Sequence, residues 1–217
     1  MKKEPTSKSK VLNYSVVVFV IIILVATAFG PTGGPGAAYQ KSVLQTTRAI
    51  ELSLDAYSKD HSGHYPEGKS STEIFQHLID GKYVTDPSIF YVHLFHVIGK
   101  VPPKDESLKR ENVCFDVTCC VDSSAPGGLP AVFLTGYRIT YQPGSSAVPL
   151  PLPYSPPFSK TWSEWVYGVP YYKRPFIAVA YKNGSANWTL ADEDGSIPNF
   201  IPTDFDPKGK TYRQLTP

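Results

Sequence analysis

The chain has one methionine and three cysteines in 217 residues, and its formal net charge is only +2. That charge is small and the basic residues are scattered, with no stripe of the kind that grips phosphates, so nucleic acid is not expected as a partner. No Gly-x-Ser-x-Gly elbow, His-Glu-x-x-His helix or Gly-x-x-x-x-Gly-Lys-[Ser/Thr] loop occurs anywhere. No nucleophile and base stand in a recognisable pattern, so the chain offers no catalytic residue and is not expected to be an enzyme. Paired Cys-x-x-Cys motifs are also missing, which excludes the common zinc modules.

Proline (21 residues) and tyrosine (14) are plentiful instead. That mixture suits extended strands and long ordered loops better than a helical bundle. With 41% hydrophobic and 18% charged residues, most of the chain can bury a core.

Residues 1–10 are polar, with Lys2, Lys3, Lys8 and Lys10 against the single acid Glu4. Residues 11–29, VLNYSVVVFVIIILVATAF, carry no charge. Nineteen helical residues rise about 28 Å, close to the hydrocarbon thickness of about 30 Å. Lysines on the amino side orient the N-terminus to the cytoplasm and the remainder outward. The strongest apolar run is short, however, and Ala26-Thr27-Ala28 is a small-x-small cleavage pattern. A signal peptide cut after Ala28, releasing a soluble exported binding module, is therefore the alternative to a retained anchor. Both readings export residues 30–217.

Residues 30–37 open with Gly-Pro-Thr-Gly-Gly-Pro-Gly and read as a hinge, because proline lacks a donor and glycine carries a large backbone entropy. Helical spacing then resumes. Val43, Thr47, Ile50, Leu54 and Tyr57 form one stripe, with Lys41, Arg48, Glu51, Asp55 and Lys59 off it. So narrow a stripe is best covered by a sheet. Ser62-Gly63 supplies a left-handed stop and Pro66 prevents resumption. Ser70 and Glu73 have capping-box spacing ahead of Ile74, Phe75, Leu78 and Ile79, with Gly81 as the stop.

Beyond residue 88, SIFYVHLFHVIG, NVCFDVTCCV and LPAVFLTGYRITYQ are short β-rich runs. Tyr137, Ile139 and Tyr141 alternate with polar residues as in a half-solvated antiparallel strand. In RPFIAVAYKNGSANWTL, Asn183-Gly184 predicts a type I′ hairpin. The stretch from Pro143 to Trp165 is too proline-rich for regular structure and reads as an ordered loop or insertion, with a PxxP partner site as the alternative.

The order of long helix, Gly/Tyr-Pro turn, short capped helix and strand resembles the type II secretion pseudopilin-like proteins, the prepilin-type family of didermal bacteria. The residues carrying this resemblance are Tyr57, Asp60, Gly63, Tyr65 and Pro66, then Phe75, Leu78, Tyr83, Thr85, Asp86, Ile89, Phe90 and Tyr91. A late strand, Asn-Gly-Ser turn and second strand extend it, so about half the chain is covered. The resemblance implies an α+β pilin-like head: an amphipathic spine helix packed on an antiparallel β-sheet, spanning residues 38–217. It also implies residence in the bacterial inner membrane, with the head in the periplasm and other pseudopilins or secretion-system proteins as partners. The sequence departs from the family at residues 10–18, which hold neither the processing-site glycine nor the intramembrane glutamate. A pilin-like head on a conventional anchor is the resulting expectation.

No cofactor is expected. Asp192, Glu193 and Asp194 form the one acidic cluster and are the candidate oxygen ligands for calcium, with Asp204 and Asp206 near in sequence. The glycine comes too early for an EF-hand, and a solvated Asp-Gly turn is the competing reading. His61 and His64 are expected as exposed turn residues and His77 on a helix surface. His93 and His96 have opposite parity on a strand, which disfavours a shared metal. Cys114, Cys119 and Cys120 could yield one disulfide and a leftover thiol, although Cys119 and Cys120 would face oppositely on a regular strand. Asn183 and Asn187 begin sequons that matter only in a eukaryotic secretory pathway.

Overall fold

A computed structural model of the chain describes residues 35–92, 100–150 and 176–217, with side chains from residue 39 onward. The anchor or signal segment 11–29, its cleavage pattern at Ala28, His93, His96 and most of the proline-rich stretch lie outside the described residues. Two compact units divide the chain at Tyr39/Gln40, and the second, Gln40–Pro217, holds all the described strands.

The architecture is α+β: two helices and a five-stranded antiparallel sheet. Helix α1 runs over Pro35–Asp60 and α2 over Ser71–Asp80. Because α1 begins at Pro35, the last residues of the expected hinge are helical. Proline is well tolerated there, since a first-turn N–H has no intrahelical acceptor to lose. Along α1, Val43, Thr47, Ile50 and Leu54 are fully buried and Tyr57 is half-buried. The buried face is wider than the expected stripe, taking in Gln40, Ser58 and Glu51, which is only 1% exposed. Glu51 therefore belongs inside, not among the solvated charges.

The α1 stop is as expected: Ser62 (φ 56°) and Gly63 (φ 85°) are both left-handed. Ser70 caps α2 by accepting from the Glu73 N–H at 3.2 Å, but the Glu73 carboxylate takes the N–H of Lys69 at 2.7 Å and not that of Ser70. At its C-terminus, Gly81 is the stop as expected: it caps the helix with φ −79°, and the left-handed reversal follows at Lys82, φ 60°. The SIFYV segment does not start as a strand. Asp86 accepts from the Ser88 N–H at 2.9 Å, Pro87 sets the next φ, and Pro87–Phe90 closes as a 3-10 turn.

Strand β1 is Phe115–Cys119, β2 Pro130–Leu134, β3 Tyr137–Arg138, β4 Val148–Pro149, β5 Phe176–Tyr181, β6 Ala186–Leu190 and β7 Arg213–Leu215. The main sheet has the order β6-β5-β2-β1-β7, and β3 and β4 pair separately. Burial alternates from Tyr137 to Thr140 as the sequence predicts, yet only Tyr137 and Arg138 pair as strand. The Asn-Gly hairpin forms with a different turn. Gly184 has φ 76° and its N–H meets the Tyr181 carbonyl at 2.9 Å, while Asn183 is not left-handed. This is a type I turn closed by a glycine bulge, not type I′.

Register places Phe115, Val117, Val132, Leu134, Ala180 and Leu215 on one sheet face, and Asp116, Thr118, Phe133, Val179 and Gln214 on the other. Helix α2 lies against β1, where Ser71 Oγ donates to the Phe115 carbonyl at 2.8 Å. The second face is roofed by irregular chain: Phe200 meets Phe133 edge-on at 5.8 Å, and the Tyr141 hydroxyl lies 2.6 Å from Thr118 Oγ1. All residues of β1 and β2 are consequently buried.

Candidate functional site

Several of the residues that carry the family resemblance assemble into a collar at the carboxyl end of α1. Tyr57, one turn before the helix end, stacks on the His61 ring at 3.7 Å and meets Tyr83 edge-on at 5.3 Å. The Tyr83 hydroxyl donates to Asp60 Oδ2 at 2.8 Å, which raises the tyrosine pKa, and His61 Nδ1 lies 2.8 Å from the Tyr57 carbonyl. Gly63 passes so near the segment after β1 that a Cβ would meet Ser123 Cβ at 2.9 Å. Two residues later the Tyr65 N–H reaches the Val121 carbonyl at 3.1 Å. Tyr65 then turns back, donating its hydroxyl to Glu51 Oε1 at 3.2 Å.

Around that bond sits a charged cluster. Lys182, in the β5–β6 turn, pairs with Asp55 Oδ1 at 3.1 Å and lies 5.3 Å from the Tyr65 ring centroid. Lys59 takes the other Asp55 oxygen at 2.8 Å. The hydrogen bond from Lys59 is the main reason the Asp55 carboxyl is held below the ordinary range. Desolvation, opposed by the Tyr65 hydrogen bond, pushes Glu51 up from 4.5 to about 7, and its Oε2 has no hydrogen-bond partner. Sequence reading missed this cluster, because the burial of Glu51 depends on where Tyr65 and Lys182 arrive.

Beside the collar an open groove of about 450 Å³ separates Thr46 and Ser53 of α1 from Tyr83, Val84, Thr85, Asp86, Ser88, Ile89 and Tyr91. Of the residues that carry the resemblance, Tyr83, Thr85, Asp86, Ile89 and Tyr91 thus line this groove, whereas Phe75 and Phe90 stack in the core at 4.6 Å. The groove offers hydroxyls, one carboxylate and apolar edges. Within it, Ser88 hydrogen-bonds the Asp86 carboxylate through both its N–H and its side chain, which holds that carboxyl below the ordinary range.

The remaining candidates are dispersed. Asp194 Oδ1 accepts from the N–H and Oγ of Ser196 at 2.9 and 2.7 Å, and the Asp192 carbonyl accepts the Gly195 N–H at 3.0 Å. The acidic stretch is thereby a hydrogen-bonded Asp-Gly turn. Asp206 similarly accepts from the Lys208 N–H at 2.8 Å. Among the described residues no three His, Cys, Asp or Glu side chains gather as metal ligands. His61, His64 and His77 are exposed. Asn183 turns its side chain inward on its own loop, accepting from the Ser185 N–H at 3.0 Å.

A second buried carboxyl, Asp116 on β1, also escaped the sequence reading. Its Oδ2 accepts from Gln214 Nε2 at 2.5 Å, and burial raises its pKa from 3.8 to about 7. Gln214 also donates to the Tyr137 carbonyl at 2.6 Å and accepts from the Ile139 N–H at 3.0 Å, so one β7 side chain ties β1 to the β3 segment. No family model, curated protein or solved structure matches the chain.

Proposed function

We propose that the chain is a membrane-anchored, pseudopilin-like structural and interaction protein of a bacterial envelope or type II secretion-related system. Its 11–29 segment is the anchor, α1 the spine and the α+β unit a periplasmic head. The observation that carries this reading is the collar. Tyr57, Asp60, Gly63 and Tyr65 recur at the family's spacing, and each has a physical task at the junction of α1 with the chain beyond it. Burial of Val43, Thr47, Ile50 and Leu54, with Lys182 joining the β5–β6 turn to Asp55, supports α1 as a spine packed on the sheet. The groove along α1 is the surface offered to neighbouring secretion-system proteins.

The role is one of positioning, not catalysis. Spheroplast proteolysis after membrane fractionation tests it. The head should sediment with inner membrane and be digested from the periplasmic side. Recovery of the intact chain in the cytosol would contradict the proposal.

A further inference from the structure

Cys119 ends β1, and Cys120 begins the turn after it. A regular strand would send their side chains to opposite faces. Instead Cys120 is left-handed, with φ 64°, and the two Sγ atoms stand 3.1 Å apart. Arg213, the β7 residue paired with Cys119, donates its Nε–H to Cys119 Sγ at 3.1 Å and fixes that sulfur from the strand side. Cys120 is exposed and Cys119 is buried, so one sulfur meets solvent with the second directly behind it. The third cysteine is held elsewhere: Cys114 is buried and its Sγ donates to the Val92 carbonyl at 3.4 Å.

We propose that Cys119 and Cys120 are a redox-active vicinal dithiol that small disulfides, such as glutathione disulfide, oxidise to an intrachain disulfide. Cys120, after losing its proton to solvent, attacks the small disulfide and expels one thiolate. The Cys119 sulfur then attacks Cys120 in the mixed disulfide, loses its own proton and expels the second thiolate. Two protein thiols and one small disulfide thus become one protein disulfide and two small thiols, and no further electron acceptor is needed.

The folded turn supplies most of the approach, since the sulfurs need only close from 3.1 Å to about 2.05 Å. Neighbouring Cα atoms are about 3.8 Å apart, shorter than the usual disulfide separation of about 4.4–6.8 Å. Such a ring is strained and easily reduced, which marks a labile site in place of a structural staple. The contact with Cys119, more than burial, pushes the Cys120 thiol up, so the reaction quickens in mildly alkaline buffer. The inference stands apart from the export proposal, because it needs only an accessible turn and a small disulfide.

The test treats the reduced full chain in detergent micelles with glutathione disulfide, then alkylates and maps peptides by mass. The expected peptide holds Cys119 and Cys120 without alkyl groups and lighter by two hydrogens, while Cys114 is alkylated only after denaturation. Cys120→Ser, at an exposed position, should restore an alkylatable Cys119, and Cys119→Ser should leave glutathione attached to Cys120. Cys114→Ser should oxidise like the parent chain. Two alkyl groups on the pair after oxidation, a persistent glutathione adduct on the parent chain, or ring closure equally fast in urea-unfolded chain would overturn the proposal.

Discussion

On α1, Glu51 follows Ile50 and precedes Leu54 by three positions, which puts its carboxyl on the buried side of the helix. Its pKa in the folded chain, about 7, exceeds the ordinary 4.5, so the folded state binds the proton more tightly than the unfolded one. The associated stability is fully present below pH 4.5 and is lost as pH rises through about 7. Glu51→Gln removes that titration. Urea unfolding of the full chain in detergent should find the variant about 1–3 kcal/mol more stable at about pH 8, with a flatter pH profile than the parent. A loss of stability at alkaline pH would mean that Lys182 and Tyr65 outweigh desolvation.

Gly63 makes the opposite kind of prediction at the same junction. Its φ is 85°, and Ser123 Cβ lies 2.9 Å from the point an alanine methyl would occupy, which leaves that methyl no room. Gly63→Ala should cost about 1–3 kcal/mol by the same urea titration. An effect within about 0.5 kcal/mol would show that the turn can relax.

At the level of elements, α1 draws its stability from packing on its buried side. Leu54 is fully buried, whereas Leu52, two positions away, is 49% exposed. Leu54→Ala should therefore cost about 2–5 kcal/mol and Leu52→Ala less than about 0.5 kcal/mol. Similar losses from both would place α1 differently. The helix, its left-handed stop, the Ser70 cap and the late hairpin were all legible in the sequence, because each is written in local spacing and turn chemistry. The width of the α1 face was not, since Glu51 is buried by partners from 14 residues onward and from the β5–β6 turn. Strand β7 escaped for a different reason: Arg213–Leu215 is too short to show a period, and its place comes from pairing with β1. The glycine bulge in the hairpin and the vicinal sulfurs depend on single backbone angles that residue type leaves open.

Across the whole molecule, the sheet is covered by different means. Helix α2 meets β1 through Ser71, while the face of Thr118 and Phe133 is closed by the segments around Tyr141 and Phe200. The C-terminal segment is also fastened by Lys210, which pairs with Asp122 after β1 and holds that carboxyl down at about 2. The sign here is reversed: this stabilisation is present above the ordinary carboxyl range of 3.8 and is lost as pH falls through about 2. The last residues are thus tied to the loop that also touches Gly63. Among the described residues no helix is long and apolar enough to cross a membrane, and the anchor proposal rests on residues 11–29.

The N-terminus of the protein isolated from membranes tests the central claim most directly. Intact-mass and N-terminal peptide analysis should find the 11–29 segment still joined to the α+β unit. A membrane-free protein beginning at Phe29 would contradict an anchored pilin-like head and favour the released binding module.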